Sequence, residues 1–193
     1  MKPEELMGIM PLLEKMKCNL RHSYLSSGRA ESVAEHSWRM AVMAMLIKDE
    51  FPGMDMERVI KLCLIHDLGE AVTGDVASFL KTDDHRKNEA AALEDILSGL
   101  PSDVAEEFAA MFAELEERQT PEARLCKALD RLEAVVQHNE ADTATWLPLE
   151  HDLQLQYGAE ETAWFPYTTE GRRLANEVTK AKTAEFFNIK EKI

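Results

Sequence analysis

Along most of this chain hydrophobic residues recur at three- and four-residue intervals, the spacing of helices that bury one face. The pattern predicts a first amphipathic helix over residues 3–17, followed by an irregular stretch, CNLRHSYLSSGRAE, through 31. Ser32 and Glu35 form an S-x-x-E capping box that opens a helix to about residue 50. A third helix follows PGMD and runs from about 56 to 68, with Gly69 as its terminator. Residues 70–82 read as a short helical turn and a loop. Helices then fit 83–98, 102–118 and 121–140, the last with Thr120 as N-cap and Pro121 in its first turn. Residues 141–167 are mixed, with short helical pieces, and TTEGRRLANEVTKAKTAEFFNI closes the chain as another helix. With no internal repeat or linker between them, these elements predict an all-α fold, a helical bundle in a single domain over 1–193.

Composition narrows the function classes. A chain of 193 residues that is 45% hydrophobic and 30% charged can bury a substantial core without disulfide or metal staples. Eight Gly and seven Pro leave little punctuation for a multi-stranded sheet. The three cysteines (Cys18, Cys63, Cys126) are odd in number and widely spaced, with no CxxC, which suits a reducing cytoplasm. The first residues lack the unbroken apolar core of a signal peptide, and no segment approaches the length of a membrane span. A net charge of −14 argues against a nucleic-acid polymer or an anionic membrane surface as partner. It leaves room for a small anionic substrate, because a few cations or a metal can reverse the field inside one cleft.

The stretch LCLIHDLGEAVTGD raises a chemical question. His66 and Asp67 end the apolar run Val59, Ile60, Leu62, Cys63, Leu64 and Ile65. A buried, unpaired carboxylate costs several kcal/mol, so an ion pair, a set of hydrogen bonds or a metal must compensate it. In the preceding helix His36 shares a face with Met40, Met43 and Ile47 and therefore points inward. A lone inward histidine is more often a hydrogen-bonded core residue than a ligand, but imidazole and carboxylate together suit a divalent ion. Along 121–140 the apolar stripe is Leu125, Ala128, Leu129, Leu132, Val135 and Val136. Asp130 falls beside that stripe, where a solvated flank is equally acceptable.

The ordered set His36, His66-Asp67 and Asp130 resembles the H…HD…D signature of the HD-domain phosphohydrolases. The blocks AESVAEHSWRMAVMAMLI, IHDLGEAVTGDV and CKALDRLEAVVQ are similar to those of the HD-domain 5′-deoxynucleotidases, in the right order over roughly residues 10–140. The resemblance implies a metal-binding core over about 20–140 followed by C-terminal helices over 141–193. It implies that His36, His66, Asp67 and Asp130 hold one divalent ion (Mn, Co, Fe, Ni, Zn or Mg) with positions left for water and phosphate. Glu70 and Asp75 are then the catalytic acids: Glu70 lies just past the helix end, and Asp75 follows Gly74, which permits a tight turn. Arg21 and Lys81 match basic residues that would neutralise a phosphate, with Arg29 a weaker candidate. Taken singly, each of these is as readily a surface acid, turn former or solvated cation. Where some bacterial relatives place an aromatic and a proline after the arginine, this chain has RHSY, so His22 or Tyr24 becomes a candidate for the nucleobase.

His85, His138 and His151 sit in polar surroundings and are expected at the surface, and their scarcity between the HD pair and Asp130 favours a single metal. The absence of a GYP motif argues against cyclic-dinucleotide phosphodiesterases of that subtype. The leading expectation is a metal-dependent phosphomonoesterase acting on (deoxy)nucleoside 5′-monophosphates, homodimeric as the resemblance implies. Two alternatives stay open: a tri- or pyrophosphohydrolase of the same superfamily, and a non-catalytic nucleotide-binding module.

Overall fold

Ser32 caps the second helix as its sequence predicts: its hydroxyl accepts from the Glu35 N–H at 3.3 Å, and the Glu35 carboxylate accepts from the Ser32 N–H at 2.9 Å. Similar local signals set the other boundaries in the computed structural model, which describes residues 1–76 and 80–190. Residues 77–79, part of the loop expected over 70–82, lie outside the described residues. The order is α1 (Pro3–Cys18), β1 (Leu20–Tyr24), β2 (Ala30–Ser32), α2 (Val33–Leu46), α3 (Met56–Ile65), α4 (Glu70–Thr73), α5 (Asp83–Ser98), α6 (Ser102–Glu117), α7 (Pro121–Glu140), α8 (Glu150–Leu153), α9 (Ala159–Thr162) and α10 (Pro166–Lys190). Asp55 accepts from the Arg58 N–H at 2.9 Å to start α3, and Thr120 from the Ala123 N–H at 3.1 Å to start α7.

The fold is helical, as expected, with one addition. The stretch read as irregular contains an antiparallel hairpin, β1 with β2, which pairs Leu20 with Ser32 and Tyr24 with Ala30. Its strands are too short, and its turn too loose, to announce themselves by alternation. The helix expected to run to 50 stops at Leu46 and finishes as a 3₁₀ turn over Lys48–Glu50. The predicted third helix also stops early, at Ile65. Gly69 does not terminate it: its φ is an ordinary −58°, and it precedes α4 directly. A Cβ there would meet the Glu89 backbone oxygen at 3.3 Å, so its smallness lets α5 approach α4. Gly74, at φ +78°, is the residue that needs glycine's freedom and turns the chain toward Asp75.

The core sits where α2, α3 and α7 meet, with Met40, Ala44, Val59, Leu62, Cys63, Leu125 and Leu129 essentially inaccessible. Five of the six stripe residues expected on α7 are buried, and Val136 is half-buried. Truncating Leu129 to Ala removes a fully packed side chain, a change that costs roughly 2–5 kcal/mol. Helix α10 closes the far side of α7 through Ala175 against Leu132 and Val135. Helix α1 is amphipathic only toward its end: Met16 is buried with Ile9 and Leu12 beside it, while Leu6, Met7, Met10 and Leu13 stay exposed.

Candidate active site and metal centre

The apolar faces of α2, α3 and α7 carry the candidate ligands into the interior together. His36 is wholly buried, and ligand atoms of His36, His66 and Asp67 all lie within 4.8 Å of one another. His36 Nε2 is 3.2 Å from Asp130 Oδ1, which places Asp130 at the edge of that trio, where Lys127 Nζ also holds it at 2.6 Å. Both imidazoles are oriented from behind. Nδ1 of His66 donates to the Cys63 carbonyl at 2.9 Å, and Nδ1 of His36 donates to the Glu133 carboxylate. Each ring thus turns Nε2 toward the carboxylates, the arrangement seen when histidine binds a metal.

The donor set fits a divalent ion on its own geometry. His66 Nε2 is buried and makes no hydrogen bond, although Asp67 Oδ2 is only 3.0 Å away. Two ligands at ~2.1 Å around one octahedral ion stand about 3 Å apart, so this contact is natural when both atoms face a cation. Burial disfavours the imidazolium at His66, yet Asp67 and Asp130 carry its pKa up to about 10. Burial likewise opposes the charge on Asp67 and Asp130; the histidines outweigh it for Asp67, and Lys127 with His36 for Asp130, so both stay well below the usual carboxylate range. A divalent cation would supply the positive charge that these carboxylates otherwise draw toward the imidazoles.

Beside these groups opens a cavity of about 180 Å³. Asp67 and Asp130 reach its wall, with Glu70, Asp75, Arg21 and Lys81 around them. Glu70 is buried; its Oε1 accepts from Lys81 at 3.2 Å and its Oε2 has no partner. Asn19 donates to the Glu70 carbonyl and ties the start of α4 to the end of α1. Burial, reinforced by Asp67 and Asp75 and opposed by Lys81, pushes the Glu70 carboxyl up to about 8. Burial also raises Asp75, against the pull of Arg21. Among the described residues five carboxylates and four Lys or Arg side chains line this cavity, so these side chains give it no excess of positive charge, which a divalent cation would supply.

Arg21 is more enclosed than a solvated cation: its Nε is 3.5 Å from buried Glu31, and although burial opposes its charge, Glu133, Glu31 and Asp67 outweigh it and keep the guanidinium firmly charged. Lys81 bridges Glu70 and Glu89. Arg29 instead lies exposed, paired with Glu35, and away from this cavity. His22 lines the cavity; Tyr24 does not, and its carbonyl accepts from Gln137.

The surface expectation for His138 and His151 is overturned. Both are buried, their rings tilted against Trp146 at centroid distances of 4.4 and 5.3 Å. Polar sequence neighbours misled here, because a stack on Trp146, beyond the end of α7, follows no helical period. His85 caps α5, accepting from the Thr82 N–H at 3.1 Å. Sequence reasoning also missed Glu31 and Glu133. Glu133 is fully buried on α7 three residues after Asp130, a spacing that could have pointed to it. Nothing in the sequence marked the wall built by His138, Glu150, Leu153, Gln154 and Tyr157.

The model of the HD domain family matches residues 13–167. The human 5′-deoxynucleotidase HDDC2 is 38% identical over 120 residues, 61% of this chain and 57% of that protein. The matched stretch therefore spans less than two thirds of that relative. The Xenopus laevis 5′-deoxynucleotidase HDDC2 is 36% identical over 139 residues, covering 69% and 68% of the two chains. The crystal structure of a protein described as a predicted metal-dependent phosphohydrolase, from Magnetospirillum magnetotacticum MS-1, superposes with a TM-score of 0.79 at 30% identity over 93% of each chain. A converging H…HD…D constellation on a helical scaffold, with a match across four fifths of the chain, leaves one conclusion: the protein belongs to the HD-domain family.

Proposed function

We propose that this protein is a metal-dependent phosphomonoesterase that hydrolyses (deoxy)nucleoside 5′-monophosphates to nucleoside and phosphate. The observation that carries the reading is the convergence of His36, His66 and Asp67 beside a cavity that also presents Glu70, Arg21 and Lys81. His36, His66, Asp67 and Asp130 hold one divalent ion, of a kind that accepts imidazole and carboxylate together. Such an ion supplies Lewis acidity toward a phosphoryl oxygen and toward the attacking water.

The chain's own residues do the rest. Arg21 and Lys81 neutralise the non-bridging oxygens of the phosphate. Glu70, with one oxygen tied to Lys81 and the other unpartnered, orients the attacking water and takes its proton; a carboxyl raised to about 8 suits that task near neutrality. Asp75 assists proton transfer near the leaving 5′-oxygen. The named activity of the HDDC2 relatives supports the substrate class.

One HD domain comprises the whole chain, 1–193, and the enzyme works in the cytoplasm as a homodimer. Exposed Trp38, Met45 and Leu46 on α2 offer the apolar surface for self-association. No described helix is long and apolar enough to cross a membrane. The test joins elemental analysis of chelator-free protein with a screen of phosphorylated metabolites. One transition metal per chain and release of orthophosphate plus nucleoside are expected. Release of pyrophosphate or triphosphate would move the protein to the tri- or pyrophosphohydrolases, and no turnover with retained nucleotide binding would make it a binding module.

A further inference from the structure

The end of the cavity away from the metal ligands holds a polar pair that the phosphate chemistry does not use. His138, on α7, is more than nine-tenths buried, lines the cavity, and its Nε2 has no hydrogen-bond partner. Burial, together with His22, His151 and Lys182, brings its pKa down to about 4, so the ring is neutral at physiological pH. Glu150 Oε2 lies 3.6 Å from that nitrogen, close but not bonded. Trp146 fixes the imidazole by stacking on it and by donating to the His138 carbonyl at 3.1 Å. The Leu147 N–H fixes Glu150 by donating to Oε2 at 2.7 Å, and His22 Nε2 meets Oε1 at 3.1 Å. An unpartnered buried nitrogen on a cavity-lining residue, beside a pinned carboxylate, is costly unless a ligand completes it.

The pair's chemistry selects that ligand group. We assign the ring proton to Nε2, the nitrogen 3.6 Å from the Glu150 carboxylate oxygen; a phosphate oxygen is then repelled by Glu150, and an amino group of a base only donates, which leaves that N–H without an acceptor. A hydroxyl does both: it donates to the carboxylate and accepts from His138. Position agrees. His22 spans from the catalytic end to this pair, its backbone N–H stabilising the Asp75 carboxylate and its ring touching Glu150. One residue's length separates the phosphate end from the pair, and in a 5′-nucleotide one sugar ring separates the 5′-phosphate from the 3′-hydroxyl.

Building on the phosphomonoesterase reading, we propose that His138 and Glu150 bind the 3′-hydroxyl of the substrate's sugar. The site thereby takes free mononucleotides with an unmodified 3′ position and refuses 3′-phosphorylated or 3′-linked ones. Trp146 is a positioning residue that acts through His138.

The test compares a 2′-deoxynucleoside 5′-monophosphate, its 2′,3′-dideoxy analogue and 2-deoxyribose 5-phosphate as substrates of the metal-loaded wild type, His138→Phe and Glu150→Gln. Wild-type kcat/KM should fall roughly 10–100-fold when the 3′-hydroxyl is absent. Each variant should lose a similar factor on the deoxy substrate and show little further loss on the dideoxy one, the mark of a shared interaction. The same variant effect on 2-deoxyribose 5-phosphate assigns the contact to the sugar; an effect confined to base-bearing substrates overturns the proposal in favour of the base. Equal wild-type rates on the deoxy and dideoxy substrates also overturn it, and this comparison stands even where a variant fails to fold. Calorimetric binding of the deoxynucleoside and dideoxynucleoside products reads the same contact without turnover. A wild type that discriminates these products yet hydrolyses no monophosphate would refute the proposed reaction and leave the hydroxyl site standing.

Discussion

At the end of the cavity formed by Asp67, Glu70 and Asp130, charged groups come from helices whose apolar faces make the core, so core packing and ligand placement are one event. Toward His138 and Glu150, the lining is held differently: His138 stacks on Trp146, Glu150 accepts from the Leu147 N–H, Gln154 donates to the Val135 carbonyl and Tyr157 accepts from Arg131. Arg172 on α10 donates to the carbonyls of Gln154, at 2.8 Å, and Tyr157, pinning that wall. Gly158, at φ +70°, packs so closely that a Cβ would lie 2.5 Å from Arg131 Cβ. The first end is rigid because burying charge demands compensation; the second is rigid because a loop has been stapled to a helix. Substitutions should therefore cost chemistry at one end and substrate fit at the other.

The largest effect is expected for Asp67→Ala. Losing a carboxylate from the trio should empty the metal site and slow turnover by at least ~10³-fold, as several kcal/mol of charge stabilisation are lost. Elemental analysis checks it; full metal occupancy would remove Asp67 from the ligand set.

Next comes Glu70→Gln, expected to keep its metal and helical content and turn over ~10²–10⁴-fold more slowly. A pH dependence accompanies it. With its pKa raised from 4.5 to about 8 in the fold, Glu70 holds a proton there that the unfolded chain releases. Its stabilising contribution is complete below about pH 4.5 and is lost as pH rises through about 8. Chelator-treated Glu70→Gln should therefore show a smaller drop in Tm across that interval than the wild type.

Glu133→Gln is the intermediate case. It keeps the shape behind His36 but removes the carboxylate that orients Nδ1, and should weaken metal affinity ~10–100-fold in a chelator competition. Unchanged affinity would make Glu133 a purely structural partner. The smallest effect belongs to the far wall: Gly158→Ala should raise KM by a few-fold, with metal content intact, as Arg131 and Tyr157 shift. A loss of metal there would show that the two ends are not independent.

Much of the first end was legible because helical periodicity reports which face is buried. His36 shares its face with Met40 and Ile47, and an HD pair ending an apolar run has few explanations other than a partnered charge. Asp130 was legible only through resemblance, since a flank position on α7 is silent about burial. Glu133 escaped notice although it is as buried as Leu125, because a carboxylate on a mixed face reads as solvated until its partner is known. His138 and His151 were misread for the same reason.

By itself, then, the sequence determined the helices, their caps and the inward faces of α2, α3 and α7, because those depend on spacings of three and four residues and on side chain–backbone bonds within one turn. Only the tertiary structure decided that β1 forms a hairpin carrying Arg21 and His22 to the cavity, that Glu133 stands behind His36, and that residues 146–158 fold back as its far wall. Those contacts join residues about a hundred or more positions apart, and their energies depend on burial that no local pattern encodes.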